Sequence, residues 1–156
     1  MQASIIVFSC RTAFSDDQLL KLKAKSMDFD DEDFTDERIN KFIRNWAYGK
    51  AVDGFERVHF WNVVDRDPDV LLEGLDEVKE WDEEFEKEQR EFAEGFKGLE
   101  DGRFYQIGSK VRPFESLTLV IDEELIGRVS IYATGERQEI NGQASTYYRI
   151  PKSDSE

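Results

Sequence analysis

A chain of 156 residues that is 39% apolar and 13% aromatic can bury a core without disulfides and is too rich in rings for a disordered acidic chain. Its net charge of −14 argues against direct binding to nucleic acid or to an anionic membrane, since both need basic patches. Cys10 is the single cysteine, which excludes an internal disulfide and makes a reducing cytoplasm the simplest setting.

Ala3–Ser9 is a continuous apolar run through Ile5, Ile6, Val7 and Phe8, expected as a central strand and too short for a signal sequence or a spanning helix. Ser15 then reads as the N-cap of a helix to about Ser26, with Asp16 and Asp17 in its first turn and Leu19, Leu20 and Leu22 on its apolar face. An acidic loop over residues 28–34 follows, interrupted by Phe29 and Phe34. Thr35 opens a second helix to about Gly49, where Ile39, Phe42, Ile43 and Trp46 recur every three to four residues. Phe55–Val64 is a strand with Val58 and Phe60 on one face and His59, Trp61 and Val63 on the other.

Asp67-Pro68 then begins a long helix running to about Lys97. Leu71, Leu72, Leu75, Val78, Trp81, Phe85, Phe92 and Phe96 form its apolar stripe. Past Gly102 the pattern changes to alternation. Arg103–Ile107, Leu117–Ile121, Ile126–Ala133 and Ala144–Ile150 read as antiparallel strands, and Asn141-Gly142 is a two-residue hairpin turn. The expected class is α+β, with an N-terminal strand and helices and one long acidic helix packed on a C-terminal antiparallel sheet. Residues 1–150 form a single globular domain and residues 151–156 a polar tail.

Two stretches hold the charge imbalance. Residues 28–37 carry seven carboxylates and no base, and residues 73–94 carry eleven against Lys79, Lys87 and Arg90. As one helix, Glu73 to Glu94 would span about 31 Å, roughly one net charge per 4 Å, comparable to a DNA strand. Glu73/Glu77, Asp76/Glu80, Glu80/Glu84 and Glu84/Glu88 would be like-charge pairs four apart, each unfavourable by roughly 0.2–0.5 kcal/mol. A helix shaped for stability alone would alternate its signs, so this face reads as a partner surface, with a solvated face as the plain alternative. The partner-binding residues expected are Glu73, Glu77, Glu80, Glu84, Glu88 and Glu91. From the acidic loop come Asp30, Asp31, Glu32 and Asp33, with Phe29 and Phe34 as aromatic anchors that could equally pin the loop to its own core.

Asp82, Glu86 and Gln89 interrupt the apolar stripe. Paired carboxylates could bind a metal or do acid–base work. A break of this kind more often marks where a long helix leaves one core for another, or a polar register-setter in a dimer seam. The loop from Asp28 to Asp36 has alternating acids but lacks the Gly and the terminal Glu of a calcium loop. Neither Cys10 nor His59 is flanked by a nucleophile signature, and Gly108-Ser109-Lys110 lacks the upstream Gly of a phosphate loop. No catalytic residue, metal ligand or cofactor is therefore expected.

The layout resembles DNA-mimic inhibitors of the phage anti-restriction and anti-CRISPR kind, a likeness of charge placement only. It implies a non-enzymatic cytoplasmic protein, monomer or homodimer, that occludes the groove of a basic nucleic-acid-binding protein. An immunity protein or antitoxin against a basic nuclease shares that physics. A small carboxylate enzyme or metal-binding protein using Asp82, Glu86 and the acidic loop is the reading from a different class.

Overall fold

The computed structural model describes residues 3–8, 24–30, 35–50, 55–61, 65–123 and 127–151. Their centre is one eight-stranded mixed sheet. Strands β1 (Ala3–Phe8), β2 (Ala24–Asp30) and β3 (Arg57–Trp61) run parallel to one another. β3 then pairs antiparallel with β7 (Val129–Ile140), and β6 (Ser116–Asp122), β5 (Gly102–Gly108) and β4 (Val78–Glu80) continue the sheet antiparallel to its far edge. β8 (Gln143–Tyr148) pairs with the distal half of β7, extending that strand as a two-stranded ribbon. Asn141 and Gly142 turn the ribbon with φ of 53° and 79°, the left-handed pair a two-residue hairpin requires.

Helix α1 (Asp36–Ala47) links β2 to β3 and covers one face of the sheet. Thr35 caps it, its hydroxyl accepting from the Arg38 N–H at 3.3 Å, and Ile39, Phe42, Ile43 and Trp46 are buried as their spacing predicts. They meet Met27, Phe29, Val58, Phe60, Ile107, Leu117, Leu119 and Ile131. Phe29 is fully buried and stacks on Phe60 with ring centroids 5.6 Å apart. It belongs to the core of its own chain, the second of the two roles its sequence allowed.

The long acidic helix does not form. Asp67 caps a short helix α2 (Pro68–Leu71), which ends at Leu72, and Gly74 follows with φ of 76°. The chain then extends as β4 and turns again at Asp82, whose carboxylate accepts from the Phe85 N–H at 2.8 Å and caps α3 (Glu83–Glu88). Helix α4 (Arg90–Leu99) comes next. The stripe was two sets of side chains. Leu71, Leu72, Leu75 and Val78 pack on the α1 side of the sheet, whereas Trp81, Phe85, Phe92 and Phe96 pack on the opposite side. A straight helix cannot serve both faces, so the chain crosses at the sheet edge through β4. The crossing also removes three of the four like-charge spacings, leaving only Glu84/Glu88 within a helix.

A second departure concerns residues 24–30, expected as the end of a helix and the start of a loop. They form β2, held between two parallel neighbours. The expected helix over residues 15–23 and the polar tail beyond Pro151 lie outside the described residues.

Candidate functional site

The face opposite α1 is the more polar one, and two hydrogen-bonded networks organise it. In the first, the Gln106 side chain is buried with all four of its bonding positions used. Its Oε1 accepts from Trp81 Nε1 at 3.1 Å and from the Thr118 hydroxyl at 2.7 Å. Its Nε2 donates to Ser116 Oγ at 2.8 Å and Thr134 Oγ1 at 3.1 Å. Trp81 sits above it, with ring centroids 4.8 Å from Phe104, 5.0 Å from Phe85, 5.5 Å from Phe92 and 5.6 Å from Phe96. This one indole joins β4, α3 and α4 to the sheet.

The second network closes the base of α4. Arg128 donates to Glu100 at 2.9 and 3.2 Å and to Asp122 at 3.1 Å, and its guanidinium lies 4.8 Å over the Trp61 ring. Glu100 and Asp122 side chains are 3% and 8% exposed, and both pair with this guanidinium. The Tyr132 hydroxyl also donates to Glu100. Burial, and then that bond to a carboxylate, pushes the phenol well above its ordinary range.

Arg128 reaches His59 Nδ1 at 3.2 Å. A guanidinium can only donate, so Nδ1 accepts and the imidazole is neutral with its proton on Nε2. Burial first, and then the Arg128 and Arg57 charges, lowers its pKa to about 4. A folded pKa below the unfolded value means the unfolded chain binds the extra proton between about pH 4 and 6.5. Stability contributed by neutral His59 is therefore present above pH 6.5 and lost as pH falls through 4, worth up to about 3 kcal/mol. Urea unfolding at pH 7 and pH 4.5 checks this. The wild type should lose more stability between those two values than His59→Gln, which cannot titrate.

Over the Gln106 network lies a groove of about 470 Å³ between α3, the 109–115 loop and β8. Phe85, Pro113, Phe114 and Tyr148 supply its apolar walls, and Gln106, Ser116 and Thr146 its polar floor. Phe114 stands at its lip, 41% exposed and with φ of 74°, a left-handed conformation that costs a bulky residue about 1–3 kcal/mol. The Thr146 hydroxyl holds that conformation by donating to the Phe114 carbonyl at 2.8 Å. The Arg137 guanidinium lies 6.0 Å over the Phe114 ring. Phe114→Gly should leave stability unchanged or higher by up to about 1 kcal/mol while removing the lip. A urea midpoint lower than wild type would contradict this.

The residues expected to bind a partner are scattered. Asp31, Glu32, Asp33 and Phe34 lie outside the described residues, and Asp30 ends β2 in register with Trp61. Glu73 is exposed in the turn after α2, its carbonyl accepting from buried Asn40 at 2.8 Å. Glu80 on β4 pairs with Arg103 at 3.4 Å. Glu84, Glu88 and Glu91 are exposed on α3 and α4. Glu77, Glu88 and Glu91 border the groove system. Asp82 is exposed, while Glu86 and Gln89 are half-buried. Asp82 acts as a helix cap paired with Lys79 at 3.3 Å, and Glu86 pairs with Lys97. The structure thus accounts for the break in the stripe by the change of core. Sequence reasoning missed the groove, whose walls come from positions 85, 113, 114 and 148. Its only local signal was the Phe114 ring in a Pro-containing loop flanked by strands.

Among the described residues, no helix is long and apolar enough to cross a membrane.

An F-box associated family model matches residues 3–59 of this chain. The uncharacterized F-box protein T20B12.4 of Caenorhabditis elegans is 34% identical over 150 residues, which cover 96% of this chain and 38% of that protein. The chain thus spans well under half the length of the curated relative it matches. No solved structure matches it. These similarities overturn the DNA-mimic reading and with it the anti-restriction, anti-CRISPR and antitoxin assignments. Of the residues named for the carboxylate-site alternative, Asp82 caps α3, Glu86 pairs with Lys97, and residues 31–34 of the acidic loop lie outside the described residues. The continuous acidic rod that carried the mimic reading is replaced by β4 and three short helices.

Proposed function

We propose that this chain is a non-enzymatic protein-recognition domain of an F-box type adaptor, the class that presents a bound protein to a ubiquitin ligase. The groove beside Phe114 carries this reading, because it combines an exposed strained ring, apolar walls and a rigid polar floor. Likeness to an F-box protein along nearly the whole chain supports the class. A cytoplasmic setting accords with the lone Cys10. The polar floor suits recognition of a polypeptide, since the Ser116 hydroxyl accepts from Gln106 Nε2 and carries a proton it can donate to a main-chain carbonyl.

Capture by the full chain tests this, with wild type and Phe114→Gly compared in parallel under quantitative mass spectrometry. The expected result is a set of proteins retained by wild type, depleted on the variant, and accumulating in cells when the proteasome is inhibited. An identical set on both baits would overturn the groove as the recognition site.

A further inference from the structure

We infer that the groove takes an extended segment bearing lysine or arginine on either side of one apolar anchor. This rests on the recognition reading above and adds the chemistry of the occupant. The first hollow, of about 470 Å³, has room for a large apolar side chain together with the main chain that carries it, beside Phe85, Phe114 and Tyr148. A second hollow of about 540 Å³ lies beside α4, and Thr146 and Tyr148 line both. The two make one track along β8, which calls for an extended occupant.

Charge along the track selects the flanks. Six bases lie on or beside it, and all but Arg90 have an acidic partner, Arg137 over the Phe114 ring pairing with Glu139. Lys110 pairs with Asp76 at 2.8 Å and Lys79 with Asp82 at 3.3 Å. Arg149 pairs with Glu136 at 3.1 Å, and Arg112 lies 3.7 Å from Glu115. Glu77, Glu88 and Glu91 remain on its rim against Arg90 alone. Exposed Glu83 and Glu84 on α3 extend the same sign outward, in a chain of net charge −14. A cationic segment is attracted along this rim. An acidic segment meets three carboxylates without a salt-bridge partner against one such base, Arg90.

Fluorescence polarisation with labelled synthetic peptides of about nine residues, roughly 30 Å when extended, tests this on the full chain. One peptide carries lysines around a central leucine in a Gly/Ser background. The second replaces its lysines with glutamates, and the third replaces its leucine with glycine. The lysine–leucine peptide should bind about tenfold or more tighter than either, and weaken as salt rises from low to physiological concentration. Its affinity should fall several-fold in the combined Glu77→Gln, Glu88→Gln, Glu91→Gln variant and in Phe114→Gly. Equal binding of lysine and glutamate peptides, still lost in Phe114→Gly, would overturn the charge inference and leave the recognition groove standing. Saturable binding by none of the three would overturn the inference as well, with the capture comparison deciding the recognition reading independently.

Discussion

Replacing Arg128 with Met should cost about 3–5 kcal/mol, the range for removing one partner of a buried charge pair. The guanidinium is the shared counter-charge of Glu100 and Asp122, and it fixes the neutral tautomer of His59. Without it both carboxylates lose their shared counter-charge, and buried Glu100 is left with the Tyr132 hydroxyl. Glu100 is the C-terminal cap of α4, so the loss should reach the groove wall through that helix. Arg128→Lys keeps the charge but not the fork, and should fall between wild type and Met. Adding Glu100→Gln to Arg128→Met should recover part of the loss, because the orphaned charge is then gone. Urea denaturation of the four proteins checks this set. A single-variant cost below about 1 kcal/mol would show that the cluster is hydrated enough to dispense with its arginine.

Trp81→Ala is the second large effect, expected at about 3–5 kcal/mol. The indole contacts four phenylalanines drawn from α3, α4 and β5 and donates to the buried Gln106 carbonyl oxygen. Truncation opens a cavity at the junction and leaves one position of a satisfied network empty. Trp81→Phe retains much of the packing and loses the N–H, so about 1–2 kcal/mol is expected for it. The Ala variant should also lose the groove, since α3 is fastened to the sheet through this residue. Near-UV circular dichroism of both variants reads the packing directly. An unchanged spectrum in Trp81→Ala would contradict the role given to the indole.

Much of the fold could be read from local chemistry. Thr35 and the spacing of Ile39, Phe42, Ile43 and Trp46 identify α1 because cap and periodicity agree. Asn141-Gly142 identifies the ribbon turn because few residues adopt positive φ cheaply. The acidic region misled because its apolar residues match a helical period while belonging to opposite faces of the sheet. Val78 and Trp81 are three apart, as on one helical face, yet they enter different cores. Local spacing cannot report which core a side chain will join. Gly74 and the capping role of Asp82 were the signals that favoured separate elements. β2 was misread for a related reason. Its acids suggested a loop, but Met27 and Phe29 point into the core while Asp28 accepts from Trp61 Nε1 at 2.6 Å on the other side. The groove itself draws on residues more than sixty positions apart, brought together only by the sheet.

The central claim is that recognition occurs in the groove bounded by α3, the 109–115 loop and β8. Crosslinking a captured partner to the full chain with an amine-reactive reagent, and mapping the linked lysines, tests it most directly. Lys79 and Lys110 line the groove, whereas Lys41 and Lys50 belong to α1 and the turn after it. Crosslinks concentrated at Lys79 and Lys110, and lost with Phe114→Gly, are the predicted result. Crosslinks confined to Lys41 and Lys50 would contradict it and move the recognition surface to the α1 face.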